Sequence, residues 1–380
     1  MKQHIIIFSG FNQRAVIAFC RFLHANNYKF SIIANNKKDT IFLSKYKVYV
    51  QAVRKSALPE MNDIIRCVNI IKYRHKVHKI IIAPTTEYLN QYFLNNRNSF
   101  LNFGCIIPLP GEATYSLFTN KLSFSDLCRR HEIQTPTRYT AIPTEYPYVI
   151  KPIRNISNNG NSLYPYIIND VDDINYCRSI EDLDNYYYEE YIPGKSYYLL
   201  FYISTDGHAV SSSQENLVQQ DNGKSVVFAV SIDLHKKPIC SNFKSLFKKY
   251  GFQGLIMVEL KFYNNNYYAI EANPRFWGPS QLLIDGNSKI LNSFLYDLHC
   301  SPTIIHPETD KIGHYYLWTG GFLQCILNGY KLKYHMEYKH PLILVLRSIF
   351  CDIYFKRDTI ILFFYELTNL IYKRVRYGKC

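Results

Sequence analysis

The sequence of 380 residues predicts an α/β (α+β) fold: a parallel α/β unit, then a mainly antiparallel sheet, then a helical C-terminal region. Three features support this prediction. Apolar runs alternate with segments of helical spacing over about the first hundred residues, as in strand–helix repeats. Short runs rich in Tyr, Val and Ile, separated by Asn, Gly and Asp, follow as far as about residue 273. Beyond residue 310 the apolar residues have helical spacing.

The first unit, residues 1–110, is built from apolar runs bounded by turn residues. The runs predicted as strands are HIIIFSG, KFSIIANN and KIIIAPT, and those predicted as helices are AVIAFCRFLHANN and EMNDIIRCVNIIKYRHK. This alternation indicates a parallel sheet with helices on its faces. The first turn, FSGFNQR, lacks the G-x-G-x-x-G spacing, so a dinucleotide-binding fingerprint is not supported.

The second unit, residues 111–310, starts after the boundary that Pro108, Pro110 and Gly111 mark. A helix is predicted around residues 120–131, and Pro136 stops its continuation. The β-rich runs that follow predict a mainly antiparallel sheet: YPYVIKPI, YYYEEYIPG, SYYLLFYIS, SVVFAVSI, GLIMVELKFY and NYYAIEAN.

The third unit, residues 311–380, is aromatic and predicted to be helical. Charged residues interrupt every apolar window of about 18 residues in its later part: Arg347, Asp352, Lys356, Arg357 and Asp358. No membrane span is therefore predicted. Packing against the protein's own core is the favoured interpretation, with peripheral membrane contact by an amphipathic helix as the alternative.

The formal net charge of +14 is spread along the chain, with only small clusters such as YKRVRYGK at residues 372–379. A dispersed excess favours a solvated surface with affinity for anionic substrates, and no nucleic-acid partner is predicted. The ten Cys residues are scattered without a C-x-x-C pair, as in a reduced, cytoplasmic protein. The N-terminal apolar run is too short for the core of a signal peptide.

The stretch MVELKFYNNNYYAIEANPRFWG, residues 257–278, predicts two strands joined by an Asn-rich turn. Glu259 and Glu271 can share one face of this hairpin, where their mutual repulsion is relieved by a cation. Mg²⁺ prefers such oxygen ligands, Asn273 offers a third oxygen, and Arg275 adds a donor fork for phosphate or carboxylate. A solvated hairpin is the plain alternative for any one of these residues, but not for the four together on apolar strands.

This stretch resembles the metal-binding hairpin of the ATP-grasp superfamily, in particular its carbamoyl phosphate synthetase large-subunit and D-alanine–D-alanine ligase branch. The pattern there is a Glu on one strand and Glu-x-Asn-x-Arg on the next. The resemblance implies that Glu259, Glu271 and Asn273 bind two Mg²⁺ ions on ATP, with Mn²⁺ as an alternative ion. It also implies a pre-ATP-grasp domain over residues 1–110. A two-lobed ATP-grasp domain would follow, with lobes of about residues 121–190 and 191–310.

The resemblance assigns two lysines and a loop to the phosphates of ATP. Lys151 in YVIKPI and Lys121 at the start of the predicted helix would hold the α- and β-phosphates. An edge-strand position for Lys151 and a surface position for Lys121 are the plain alternatives. The loop RNISNNGNS, residues 154–162, with Gly160 as its only glycine, would cover the phosphates through backbone N–H groups, or is simply a turn.

The resemblance places adenine at the run YEEYIPG. The backbone around Glu189, Glu190, Tyr191 and Ile192 would read the base, and a solvated acidic turn is the alternative. Some relatives carry a ribose-binding acid shortly after the Pro-Gly turn. This chain has Lys195 and Ser196 there, so a ribose contact is not implied.

The implied function is that of an ATP-dependent carboxylate–amine ligase. A small-molecule carboxylate would be activated as an acyl phosphate and joined to an amine, with release of ADP and phosphate. Arg275 and Lys151 are the expected catalytic residues, because this chemistry needs positioning and charge neutralisation. By position, the polar run containing Gln219, Lys224 and Ser225 is expected to line the acceptor pocket.

Two other classes of function stay open at this point, and a homodimer is compatible with all of them. A catalytically weak relative would bind ATP as a regulatory or scaffold protein. A basic nucleic-acid or membrane-surface protein would show salt-sensitive binding without dependence on ATP.

Overall fold

The computed structural model describes residues 3–154, 163–177, 183–221, 225–300, 310–335 and 341–378. It is a mixed α/β structure with a parallel sheet at the N-terminus, a larger antiparallel sheet and a C-terminal helix, as predicted. A smaller antiparallel sheet lies between the two in sequence.

The N-terminal sheet is parallel and has the strand order β3-β2-β1-β4-β5. Its strands are β1 (His4–Phe8), β2 (Phe30–Ala34), β3 (Val50–Val53), β4 (Ile80–Ile82) and β5 (Cys105–Ile106). Its helices are α1 (Gln13–Ala25), α2 (Met61–His75), α3 (Glu87–Asn95) and α4 (Arg97–Asn102). Ile5 and Ile7 of β1 share a core with α1, whereas Ile6 and Phe8 share one with α2 and α3. Both faces of β1 are therefore buried, as in parallel sheets generally.

The middle of the chain forms helices α5, α6 and α7 and the smaller sheet, which has the strand order β6-β9-β7-β8. Its elements are α5 (Glu112–Thr119), α6 (Lys121–Arg130), β6 (Arg138–Tyr139), β7 (Tyr148–Pro152), β8 (Tyr166–Ile168), α7 (Val171–Cys177) and β9 (Tyr186–Glu190). Helix α6 is the helix predicted around residues 120–131. Its N-cap residue is Asn120, whose side chain accepts hydrogen bonds from the backbone N–H groups of Leu122 and Ser123.

The large antiparallel sheet has the order β14-β13-β10-β11-β12-β15, and β16 also pairs with β11. Its strands are β10 (Lys195–Ile203), β11 (Ala209–Gln220), β12 (Val226–Ile232), β13 (Gly254–Tyr263), β14 (Asn266–Asn273), β15 (Tyr315–Leu317) and β16 (Leu332–Tyr334). The helices near it in sequence are α8 (Pro238–Lys249), α9 (Gln281–Asp285) and α10 (Lys289–Asp297).

Strand β11 includes much of the polar run that contains Gln219, for which the sequence analysis predicts no strand. The strand extends to Gln220. Its polar side chains are buried against one another: Gln214 donates to Asn216 (2.7 Å), and Asn216 donates to Ser196 of β10 (3.0 Å). A strand whose buried side chains are polar lacks the apolar alternation by which strands are recognised.

The C-terminal region corrects the purely helical prediction for residues 311–380. It contains α11 (Thr319–Asn328), α12 (Pro341–Arg347) and α13 (Ile360–Tyr377), but β15 and β16 join the large sheet. Strands of three residues are too short to show a period of two. The region also packs on the first unit, where Arg21 of α1 forms an ion pair with Asp358 (2.8 Å).

Candidate functional site

The predicted hairpin is present as β13 and β14, and its geometry brings the two acids together. Asn264 and Asn265 form the turn with φ of 47° and 60°, the left-handed conformation that tight hairpin turns require. Glu259 lies directly opposite Glu271 in the register. The next pair is Leu260 with Ala269, so Ile270 is an extra, bulged residue. Such bulges are common next to active sites because they redirect backbone and side-chain groups.

The two carboxylates differ in their electrostatic surroundings. Burial, and then the charge of Glu271, raises the pKa of Glu259 to about 7. Burial acts in the same sense on Glu271, but the charges of Lys121 and Lys151 outweigh it and lower the pKa of Glu271 below its ordinary value. Neighbouring lysines therefore keep Glu271 ionised, whereas Glu259 is the carboxylate whose charge is disfavoured by burial and by Glu271 and would be stabilised by a bound cation.

Asn273 and Arg275 continue the site beyond the end of β14. Asn273 donates to Glu271 (2.7 Å), and its amide oxygen accepts a hydrogen bond from Arg275 (3.3 Å). The N-terminal unit holds this segment in place: Asn12 donates to the carbonyl of Phe276 (3.0 Å) and Asn90 to that of Pro274 (3.1 Å). The direction of the Arg275 side chain therefore depends on contacts with the parallel sheet's loops and helices.

The two predicted lysines converge on the acid pair. Lys121, the first residue of α6, is 3 % exposed, and its Nζ lies 3.6 Å from Glu271. Lys151 lies on β7, between β9 and β8, so it is not on an edge strand. Its Nζ donates to Glu189 (2.9 Å) and to the carbonyl of the bulged Ile270 (2.8 Å). Neither lysine has the exposed position that a surface role requires.

The predicted adenine segment lies at the end of β9 and in the turn after it. Its side chains have partners of their own: Glu189 pairs with Lys151, Glu190 accepts from the N–H of Thr137 (3.0 Å), and Tyr191 accepts from Lys333 (2.6 Å). Glu190 also donates its backbone N–H to the carbonyl of Thr137 (2.8 Å), so the backbone of Tyr191 and Ile192, beyond the end of β9, is what this segment offers a ligand. At the end of the turn Gly194 has φ of 106°, and a Cβ there would lie 2.3 Å from the carbonyl oxygen of Phe262.

The remaining predicted residues divide between the described and undescribed parts of the chain. Gly160 and Lys224 lie outside the described residues. Lys195 forms an exposed ion pair with Glu215 (3.2 Å). Ser196 is buried and donates to Glu259 (3.3 Å), so it supports the acid pair from the neighbouring strand β10.

Two cavities meet at the hairpin. The first, the lobe cavity, has a volume of about 260 Å³ and lies between the small and large sheets. Its lining includes Lys151, Glu189, Tyr191, Ile192, Lys261 and Lys333. The second, the loop cavity, has a volume of about 390 Å³ and lies where loops of the parallel sheet face the hairpin. Its lining includes Arg14, Glu87, Tyr88, Tyr198, Ser225 and Trp277. Glu259, Glu271 and Arg275 line both cavities and form a shared wall.

Sequence reasoning missed several residues that line these cavities. Met257, Glu259 and Lys261 alternate along one face of β13 and run from the loop cavity into the lobe cavity, so the period of two could have found Lys261. Burial lowers the pKa of Lys261 to about 8. Lys333 lies on the short strand β16 and had no detectable signal in the sequence. Of the residues expected in the acceptor pocket, Gln219 lines the lobe cavity and Ser225 lines the loop cavity.

Arg14 is a further cavity-lining residue that the sequence analysis did not identify. Its guanidinium lies 3.8 Å from the ring centre of Trp318 and donates to the carbonyl of Val226 (3.1 Å) and to Tyr316 (3.3 Å). Trp318 in turn donates to Glu366 of α13 (3.1 Å). The C-terminal region therefore positions a cation in the wall of the loop cavity.

The donor atoms of the hairpin suit Mg²⁺. Glu259 and Glu271 offer carboxylate oxygens, and Asn273 offers an amide oxygen. A hard cation binds such oxygen ligands together with phosphate oxygens and water. Among the described residues, no group of three or more His, Cys, Asp and Glu side chains has a metal-binding arrangement. The third protein ligand at this site would accordingly be the Asn273 amide.

Cation binding at the acid pair is expected to depend on pH. Below about pH 7 Glu259 binds a proton, because its pKa is raised to about 7, and a cation must displace it. The affinity for Mn²⁺, measured by the electron paramagnetic resonance of the free ion, should fall about tenfold from pH 8 to pH 6. The Glu259→Gln protein should bind more weakly and without this dependence. Equal affinity of the wild type at the two pH values would contradict the assignment.

Comparison with known proteins shows the fold. The sequence matches no protein-family model, and a search of curated proteins found no match. The solved structure of Campylobacter jejuni biotin carboxylase in a β-γ-ATP complex is similar over 82 % of this chain and 74 % of that one (TM-score 0.59, 13 % identity). The ADP complex of N5-carboxyaminoimidazole ribonucleotide synthetase is similar over 75 % of this chain and 73 % of that one (TM-score 0.54, 16 % identity).

Two further structures extend the comparison. Bacillus licheniformis L-amino acid ligase is similar over 76 % of this chain and 69 % of that one (TM-score 0.51, 15 % identity). Rhizobium etli pyruvate carboxylase is similar over 83 % of this chain (TM-score 0.60, 13 % identity), but the match spans only 30 % of that longer protein. All four are ATP-grasp enzymes, and this chain has the ATP-grasp fold that its hairpin predicted.

Proposed function

We propose that this ATP-grasp chain is an ATP-dependent ligase that joins a small-molecule carboxylate to an amine and releases ADP and phosphate. The observation that carries the proposal is the shared wall. Glu259 and Glu271 lie opposite each other where the two cavities meet, and Arg275 lines both cavities beside them. A phosphoryl group held at this wall is within reach of a nucleotide on one side and of an acceptor on the other.

The lobe cavity is the proposed site of ATP. Lys121 and Lys151 hold the α- and β-phosphates, and Glu189 fixes the direction of Lys151 through their ion pair of 2.9 Å. The backbone of residues 191–192 reads adenine. Glu259, Glu271 and Asn273 hold two Mg²⁺ ions, which neutralise phosphate charge and polarise the γ-phosphoryl group when bound.

The loop cavity is the proposed site of the carboxylate and the amine. Arg14 and Arg275 are cations in its wall, suited to a carboxylate, and Glu87 is an anion in the same wall, suited to an ammonium group. A carboxylate oxygen attacks the γ-phosphorus, and ADP leaves. The amine then attacks the acyl carbon, and phosphate leaves as the amide forms. Arg275 steadies the transferring phosphoryl group through its donor fork.

A metabolite screen with the purified protein tests this proposal. The protein is incubated with Mg·ATP and pairs of carboxylates and amines, and ADP and phosphate are measured. Release of both in equal amounts, dependent on one carboxylate and one amine, is the expected result. Stoichiometric AMP and pyrophosphate would contradict the proposed γ-phosphoryl transfer. ATP binding without ADP release under any pair would instead favour a regulatory or scaffold role.

Mg·ATP is expected to stabilise the folded protein, because the ligand binds an assembled site with two buried lysines. At about 100 times its dissociation constant, it should add about 2.7 kcal/mol to the free energy of unfolding. The measurement is the melting temperature with Mg·ATP, with ATP plus a chelator as the control. An unchanged melting temperature in millimolar Mg·ATP would contradict the proposed site.

A further inference from the structure

Helix α13 has two apolar faces, of which one is buried. Leu362 and Phe363 lie on the buried face and belong to the core shared by the N-terminal unit and the large sheet. The opposite face follows helical spacing and is exposed to solvent. It consists of Ile361, Phe364, Tyr365, Ile371, Tyr372 and Val375, which is 82 % exposed. A helix that only packs on its own core needs a polar outer face, and this one has an apolar outer face.

A further exposed aromatic residue precedes α13 in the sequence. Phe350 is 76 % exposed, and its ring centre lies 5.8 Å from that of Phe355. Phe355 contacts Phe363 (5.0 Å), which contacts Phe364 of the exposed face (5.4 Å). Because this chain of contacts passes through the buried Phe363, Phe350 is a separate exposed ring, and the exposed face of α13 by itself is hereafter the α13 surface. Contiguous exposed apolar surface on a folded protein marks an interaction site more often than chance exposure does.

The charged residues near this surface are mainly Lys and Arg, whereas the acids of the same segment are buried or bonded to other parts of the protein. The Lys and Arg residues of the described segment 341–378 are Arg347, Lys356, Arg357, Lys373, Arg374 and Arg376. Its acids are Asp352, Asp358 and Glu366. Asp352 is buried and accepts from the backbone N–H of Thr319. Asp358 pairs with Arg21, and Glu366 accepts from Trp318. The cations stand at both ends of α13, so the surface as a whole is apolar with a basic rim.

We propose that the α13 surface docks the protein on an anionic lipid bilayer. A helix with aromatic and aliphatic residues outward and a basic rim lies in the plane of the interface, with its apolar side chains among the lipids and its cations at the headgroups. Lys and Arg at this depth reach the headgroups through their long stems. In the described part of the chain, no helix is long and apolar enough to cross a bilayer.

A second copy of the chain fits this surface less well than a bilayer. In a twofold dimer each copy would present the same basic rim to the other. Since cations stand at both ends of α13, an antiparallel arrangement of two α13 helices also brings cations near cations. The net charge of +14 adds to the repulsion between copies and to the attraction of an anionic membrane.

Vesicle sedimentation with the full chain tests the proposal. The wild type should bind phosphatidylcholine vesicles with about 30 mol % phosphatidylserine at least about tenfold more tightly than pure phosphatidylcholine vesicles. About 0.5 M NaCl should weaken the binding. Phe364→Ser/Ile371→Ser should weaken it about tenfold or more through lost apolar burial, and Lys373→Gln/Arg374→Gln should weaken it through lost charge. All four positions are exposed, so both variants should melt as the wild type does.

Two matched variants elsewhere on the surface complete the experiment. Leu58→Ser/Tyr73→Ser removes exposed apolar residues and Lys248→Gln/Lys249→Gln removes exposed cations, and both should bind vesicles as the wild type does. Absence of wild-type binding to the anionic vesicles overturns the proposal, as does equal binding by the wild type and Phe364→Ser/Ile371→Ser. A dimer in light scattering that becomes a monomer in that variant, without vesicle binding, would assign the surface to a second copy instead.

Discussion

The Glu271→Gln protein is expected to lose ligase turnover by about 100-fold or more, because this charge acts on the transferring phosphoryl group in a partly enclosed site. Glu271 lies opposite Glu259, 3.6 Å from Lys121, in the wall that both cavities share. Glutamine keeps the size of the side chain and its bond to Asn273 but removes the charge that holds two divalent ions beside a triphosphate. Some nucleotide affinity should remain, since adenine is read by the backbone.

The matched control is Glu215→Gln on strand β11 of the same sheet. Glu215 pairs with the exposed Lys195 and lines neither cavity, so its loss should leave turnover within about twofold of the wild type. The measurement is ADP release with the carboxylate and amine that the metabolite screen identifies. Turnover in the Glu271→Gln protein within a few-fold of the wild type would favour a solvated hairpin without a catalytic role.

Removal of the Lys151 charge is expected to have the second-largest effect, on both stability and nucleotide binding. Lys151 is 3 % exposed and pairs with the buried Glu189 at 2.9 Å. Lys151→Met keeps the length of the side chain but leaves Glu189 buried without its cation. Such an unpaired buried charge costs about 3–5 kcal/mol of folding free energy. Mg·ATP should no longer raise the melting temperature, because the phosphates lose a direct contact.

A double variant separates the two effects of Lys151. Lys151→Met/Glu189→Gln removes both charges, so most of the lost stability should return while Mg·ATP still fails to stabilise the protein. Chemical denaturation gives the free energies, and melting with Mg·ATP gives the binding. Full stabilisation of the double variant by Mg·ATP would show that Lys151 serves the fold and does not hold the phosphates.

The hairpin and the parallel sheet could be predicted because their signals are local. Glu259, Glu271, Asn273 and Arg275 lie within one short stretch, where strand alternation and the Asn turn put them on neighbouring positions. Strands β1, β2 and β4 are mostly apolar and are buried along their whole length, as strands covered on both faces are. Each of these features needs only a few consecutive residues to be recognised.

The rest of the site depends on contacts that a single stretch does not contain. Arg14 gains its place from Trp318 and Tyr316, about three hundred residues later in the chain. Lys333 reaches Tyr191 only because the short strand β16 pairs with β11. Strand β11 itself buries amides that bond one another, and polar residues of this kind resemble a loop in the sequence. Long-range pairing, and not local propensity, decides these positions.

The most direct test of the central claim follows an oxygen atom. The carboxylate identified by the screen is labelled with ¹⁸O in its carboxyl group, and the phosphate released during turnover is analysed by mass spectrometry. Transfer through an acyl phosphate at the shared wall predicts one ¹⁸O atom in each phosphate, because the attacking carboxylate oxygen leaves with phosphorus. Phosphate without the label, or the label found in AMP, would contradict the proposed reaction.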